Sequence, residues 1–203
     1  MGGLCRYPGG QYFVWRSPFS QATQARMVSS SNPKGDVTIN NLELGALLMQ
    51  ILLFTPRMDP LTHIHTYVDN TTAHGWANRG SVSTTYSVGP ILWELALVKR
   101  RQHIHVFIGR VPGEDNKMED AASRLTHLTD RKFISHFRSH FPQSKPCCLL
   151  PLPSDYKHQL TKMLFNRQLP RVSQPPYSRK TLPPGANGGA SAAGCKYPSD
   201  TRY

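Results

Sequence analysis

Between residues 37 and 128 the apolar residues change period several times, and that alternation limits the fold more than any single residue does. Leu44, Leu47, Leu48, Ile51 and Leu52 recur at helical spacing, the pattern of one buried helix face. Asn40 or Asn41 is placed to cap that helix, Glu43 falls in its first turn, and Pro56 marks its end. His63-Ile64-His65-Thr66-Tyr67-Val68 then reads as a strand ending at Asp69-Asn70. A short helix through Ala73, Trp76 and Ala77 closes on Gly80, a residue suited to a left-handed cap. Ile91, Leu92, Leu95 and Val98 mark a further helix over 88–101, Ile104–Val111 a strand, and Lys117–Leu125 a short helix. Strands alternating with helices predict an α/β fold with parallel strands.

The flanks read differently. Tyr12-Phe13-Val14-Trp15 has the aromatic and β-branched content of a strand, Val37-Thr38-Ile39 reads as a brief one, and 17–35 reads as a long loop. Helices are expected at Arg131–Phe141 and Ser154–Asn166. From Gln168 onward 6 Pro and 4 Gly fall in 36 residues with few large apolar side chains, a composition expected to be disordered. The net charge of +12 is uneven: 1–128 holds 12 basic against 9 acidic residues, and 129–203 holds 12 against 3. A basic rear half suits a polyanion such as nucleic acid, or merely keeps the chain soluble. The four cysteines have no zinc-site spacing and fit a reducing, intracellular setting, cytoplasmic or nuclear. No apolar run reaches membrane-spanning length, and no membrane partner is expected.

Three acids fall at informative places. Glu43 lies early in a helix, Asp69 at the carboxyl end of a strand, and Asp120 in a helix shortly after the last strand. Sites in open α/β sheets gather at the carboxyl ends of strands. Acids gathered there repel one another unless a hard divalent cation such as Mg²⁺ neutralises them. Any one of the three, taken alone, reads first as an ordinary cap or surface acid; it is their joint placement that points to a site.

The order Ile39-Asn40-Asn41-Leu42-Glu43-Leu44, Tyr67-Val68-Asp69-Asn70, Trp76-Ala77-Asn78-Arg79-Gly80, Val111-Pro112-Gly113, Asn116 and Asp120-Ala121-Ala122-Ser123-Arg124-Leu125 resembles the ribonuclease H domain of retroelement polyproteins. Within that family it is most similar to the tyrosine-recombinase, DIRS-type retrotransposons. The resemblance covers roughly 1–128. It implies a mixed sheet with flanking helices, its first strand incomplete here, followed by a basic helical extension over 129–167 and a Pro/Gly-rich linker over 168–203. It also implies cleavage of the RNA strand of RNA–DNA hybrids with two Mg²⁺ or Mn²⁺ ions, beside the reverse-transcriptase domain of a parent polyprotein. On the family's pattern Glu43, Asp69 and Asp120 are catalytic metal ligands. Asn70, Thr71, Trp76 and Arg79 fall where the family meets nucleic acid.

The chain also departs from the pattern. The family's first aspartate precedes a stretch like Met1-Gly2-Gly3, so it is expected to be missing along with much of the central strand. Asp36 precedes a different strand and is a poor substitute. Glu114 stands near the place of a loop histidine, and Glu119 replaces a usual alanine beside Asp120. Impaired or absent catalysis is therefore the expectation. A non-catalytic basic nucleic-acid-binding remnant, and a transposon-derived reading frame without function, are the alternatives.

Other residues carry two readings each. Trp76 reads as packing beneath its helix or as a stacking surface for a base. His63/His65 and His103/His105 read as histidines of half-buried strands or as a transition-metal pair. Lys99-Arg100-Arg101 reads as a solvated helix end or as a phosphate contact.

Overall fold

The computed structural model describes residues 1–59, 61–82, 88–144 and 146–165. The elements run β1 (Gly2–Arg6), β2 (Tyr12–Arg16), α1 (Gln21–Arg26), α2 (Ile39–Phe54), β3 (His63–Val68), α3 (Thr71–Arg79), α4 (Val88–Arg101), β4 (His105–Arg110), α5 (Lys117–Arg124), α6 (Asp130–His140), β5 (Cys147–Leu150) and α7 (Ser154–Phe165). The fold is mixed α/β. The expectation of disorder over 168–203 lies outside the described residues.

The strands form two small sheets, not one parallel sheet. β1 pairs antiparallel with β2, and β2 pairs parallel with β5. β3 and β4 make a separate parallel pair in which His63 lies opposite His105 and Val68 opposite Arg110. The expectation of parallel strands is therefore met only in part. β1 and β2 are joined through Tyr7–Gln11, with Gly9 and Gly10 at positive φ. A connection this short can return a strand only antiparallel.

α2 is the central helix. Leu42, Leu44, Leu47, Leu48, Met49, Ile51, Leu52 and Leu53 are all buried, so it is apolar on every side, as a helix enclosed by its own protein must be. With the single 3-10 turn that follows, Ile39–Arg57 is long and apolar enough by composition to cross a bilayer, longer than the sequence pattern suggested. Here it is packed against α3, α4, α7 and β1. Gly45 allows the approach of α7, because a Cβ there would sit 2.8 Å from Leu160 Cδ1.

Several boundaries differ from expectation for local reasons. The 37–39 segment is not a strand. Val37 makes only an isolated bridge to Met27, and Ile39 already begins α2. Thr38, not Asn40 or Asn41, caps the helix: its Oγ1 accepts from Asn41 N at 3.3 Å and Asn41 Oδ1 accepts from Thr38 N at 2.7 Å. This moves Glu43 from the first turn into the second. The expected loop over 17–35 contains α1, capped by Ser20. Gly80 closes α3 at φ 65°, in the left-handed region.

Residues 129–165 are built into the same body. Phe133 and Phe137 of α6 are fully buried with Val14, Ala122 and Cys147. Arg16 ties that region down from β2, donating to the Leu125 and Leu128 carbonyls and pairing with Asp130, with its guanidinium over the Phe133 ring. Of the basic cluster ending α4, Arg101 faces the buried Glu94 at 3.8 Å.

Candidate active site

Three elements bring the acids together. The capping box at Thr38 fixes the start of α2, and Glu43 follows one turn on. Asp69 is the first residue after β3, and Asn70 next to it caps α3 by accepting from Ala73 N at 2.9 Å. Asn70 Nδ2 also donates to Asn40 Oδ1 at 2.8 Å. That bond ties the end of β3 to the start of α2 and so holds Asp69 beside Glu43. α5 then carries Glu119 and Asp120 to the same place.

Glu43, Asp69, Asn116, Glu119 and Asp120 line one cavity of about 190 Å³, with Met1 and Gly2 of the β1 end on its wall. α5 reaches this position because Gly2 has no side chain: a Cβ there would lie 2.6 Å from the Ala122 carbonyl carbon. The three acids singled out from sequence thus border a common space, although they come from α2, the β3 end and α5.

Their side chains are not equivalent. Burial, and then the charge of Asp69, hold the Glu43 carboxyl above its ordinary pKa, while the Met1 ammonium opposes both. Burial lowers the pKa of that ammonium, and nearby Glu43 partly offsets this; the ammonium donates to the Ser17 carbonyl at 3.1 Å. Asp120 turns away, and its Oδ1 accepts from Arg124 Nε in an exposed ion pair one turn along α5. Among the described residues, no three His, Cys, Asp or Glu side chains come together in a way that could hold a metal ion.

Two residues matter here that sequence reasoning passed over. Burial pushes Glu119 up to about 7; a hydrogen bond from Asn116 lowers it, and the charges of Glu43 and Asp69 raise it further. Glu119, more than Asp120, therefore faces the other two acids electrostatically. Asn116 sits at the N-cap of α5 yet makes no side-chain cap bond. Its Nδ2 instead donates to Asp69 Oδ2 at 3.3 Å, so it serves both Asp69 and Glu119. The available signal was an Asn three residues before a Glu, a pattern that reads first as an ordinary cap.

The residues expected to meet nucleic acid are dispersed. Trp76 is 8% exposed and packs beneath α3, which leaves its indole unavailable for stacking on a base. The Asn70 side chain is spent on the α3 cap and on Asn40. Thr71 and Arg79 are exposed, at opposite ends of α3. Of the paired histidines, His63, His65 and His105 lie on the exposed face of β3 and β4, where His65 stacks on Phe107 at 5.0 Å between ring centroids. His103 is not on the strand at all; it occupies a positive-φ turn at 52° before β4.

No known protein family, curated protein or solved structure matches this chain.

Proposed function

We propose that this chain is a ribonuclease H-like domain of retroelement origin, related to the DIRS-type polyproteins, with impaired cleavage of RNA–DNA hybrids. The observation that carries the reading is the meeting of Glu43, Asp69 and Asp120, from three separate elements, on one cavity at the carboxyl end of β3. The motif order supports it, because acids so far apart in sequence are the ones the family pattern selects.

The donor chemistry suits Mg²⁺ or Mn²⁺, since every acid offers hard oxygen ligands. The arrangement does not: as the side chains stand, no three acids form a chelating group among the described residues. Arg124 also competes for the Asp120 carboxylate. Burial first, and then the neighbouring carboxylates, hold the Glu43 and Glu119 pKa values up, so both acids keep their protons more tightly than a metal ligand should. These side-chain positions support the reading of impaired cleavage.

The test is a Mg²⁺ titration followed at Glu43, Asp69 and Glu119 by NMR, together with a hybrid-cleavage assay. Weak binding near the millimolar range with little or no cleavage is expected. Robust Mg²⁺-dependent turnover, abolished in Asp69→Asn, would overturn the impairment. A second reading, a non-catalytic nucleic-acid-binding module, is favoured by Arg131 and Lys132, which stand exposed at the start of α6. Salt-sensitive nucleic-acid binding with no Mg²⁺ response at the three acids would select it.

A further inference from the structure

The two faces of the β3–β4 pair differ in kind. Ile64, Thr66, Val68, Val106 and Ile108 alternate to the more buried side. His63, His65, Tyr67, His105 and Phe107 alternate to the other and are exposed, with Gly109 completing the row. Every side chain on that outer face is therefore a ring, and none is aliphatic or acidic. A face that lies under another element of a fold carries branched aliphatics, as the inner side does here.

The rings form a continuous layer. His63 lies 5.1 Å from His105 and 5.8 Å from Phe107 between ring centroids. His65 and Phe107 stack at 5.0 Å with planes only 15° apart. Tyr67 extends the layer across Gly109, where a Cβ would sit 2.8 Å from its ring carbons. Tyr67 is 57% and Phe107 51% exposed, so large apolar ring area faces water. Same-side residues follow one another about 6.6 Å apart along a strand, which leaves room for a planar base over successive rings.

The surroundings are cationic. From the start of β3 to the end of β4, residues 63–110 hold five Lys or Arg against two acids, Asp69 and Glu94. Neither acid belongs to this face: Glu94 is buried against Arg101, and Asp69 borders the acid cavity. Arg100 is exposed at the end of α4 that leads into β4, and Arg110 is exposed at the end of β4. Arg79 is exposed beside Asn78, whose Nδ2 donates to the Ile108 carbonyl of β4 at 3.0 Å.

We infer that the ring-bearing face of β3 and β4 is a stacking platform for successive bases of a single-stranded nucleic acid, with cations at its margins for the phosphates. The chemistry is complementary on both counts, since bases of any sequence offer a π-face and the backbone between them is anionic. A duplex does not fit, because its bases are already stacked on one another. A second copy of this chain would bring the same cationic margin against this one. The platform needs neither the acids nor a metal, so it stands independently of the nuclease reading.

The test is fluorescence anisotropy of a labelled oligothymidylate with the full chain, beside an abasic oligomer of equal length and a duplex of equal length. The single strand is expected to bind more tightly than either. Phe107→Ala and Phe107→Leu should each weaken that binding roughly tenfold, whereas Phe107→Tyr, which keeps a ring, should retain it. Equal binding of the abasic oligomer would reduce the contact to charge alone and overturn the inference. So would preference for the duplex, no binding, undiminished binding in Phe107→Leu, or loss in Phe107→Tyr. Self-association of the chain that disappears in Phe107→Ala would assign the face to a second copy instead.

Discussion

At Glu119 one side chain sets the pH response of the site. Its folded-state pKa of about 7 lies above the ordinary 4.5, so the folded protein binds its proton more tightly than the unfolded chain does. The associated stability is fully present below about pH 4.5 and is lost as pH rises through 7. The difference amounts to on the order of 3 kcal/mol. Glu119→Gln keeps the shape and removes the titration. Denaturation of the variant should show a flatter stability profile between pH 5 and 8 and a gain of roughly 2–3 kcal/mol at pH 8. An unchanged profile would mean that Glu119 is not the crowded acid. Asn70 carries a different load, because one side chain caps α3 and ties it to Asn40. Asn70→Ala should cost about 1–2 kcal/mol in urea denaturation and shift the Asp69 and Glu43 resonances together.

At the scale of elements, what could be read from the sequence depended on how much of each element's stability is local. The leucine spacing of α2, the β3 run to Asp69 and the Gly80 cap each have a short-range cause, and each forms where expected. β5 has none: Cys147–Leu150 is four residues long and exists because β2 and α6 enclose it. α1 has its own cap at Ser20, but only six residues and no apolar stripe to announce it. The site divides in the same way. Its acids could be located from motif order. The turning of Asp120 toward Arg124, and of Asn116 away from its own helix end toward Asp69, is decided by tertiary placement. The joining of 129–165 to the core is equally nonlocal. Phe133→Ala should therefore cost about 3–5 kcal/mol, and a chain ending at residue 128 should lose cooperative unfolding. If α6 were only an appendage, the same substitution would leave the midpoint almost unmoved.

For the whole molecule, the acid cavity is bordered by the ends of strands from both sheets and by α2 and α5, so charge at that point acts on all of these elements together. Met1 at the β1 end, Asp69 at the β3 end, Glu43 on α2 and Glu119 on α5 all border it. Crowded acids there push these elements apart once they ionise, and a divalent cation would draw them together. Mg²⁺ should therefore stabilise the folded chain only where the acids are ionised. With binding near 1 mM, 10 mM Mg²⁺ contributes about 1.4 kcal/mol, or roughly 3–6 °C in a thermal scan. That upward shift is expected at pH 8 and not at pH 5, where Glu119 holds its proton. Asp69→Asn should abolish it, because the substitution removes a ligand while keeping the shape of the β3 end. A shift equal at both pH values, or retained in Asp69→Asn, would place Mg²⁺ elsewhere on the surface and remove the acid cavity from the account of function.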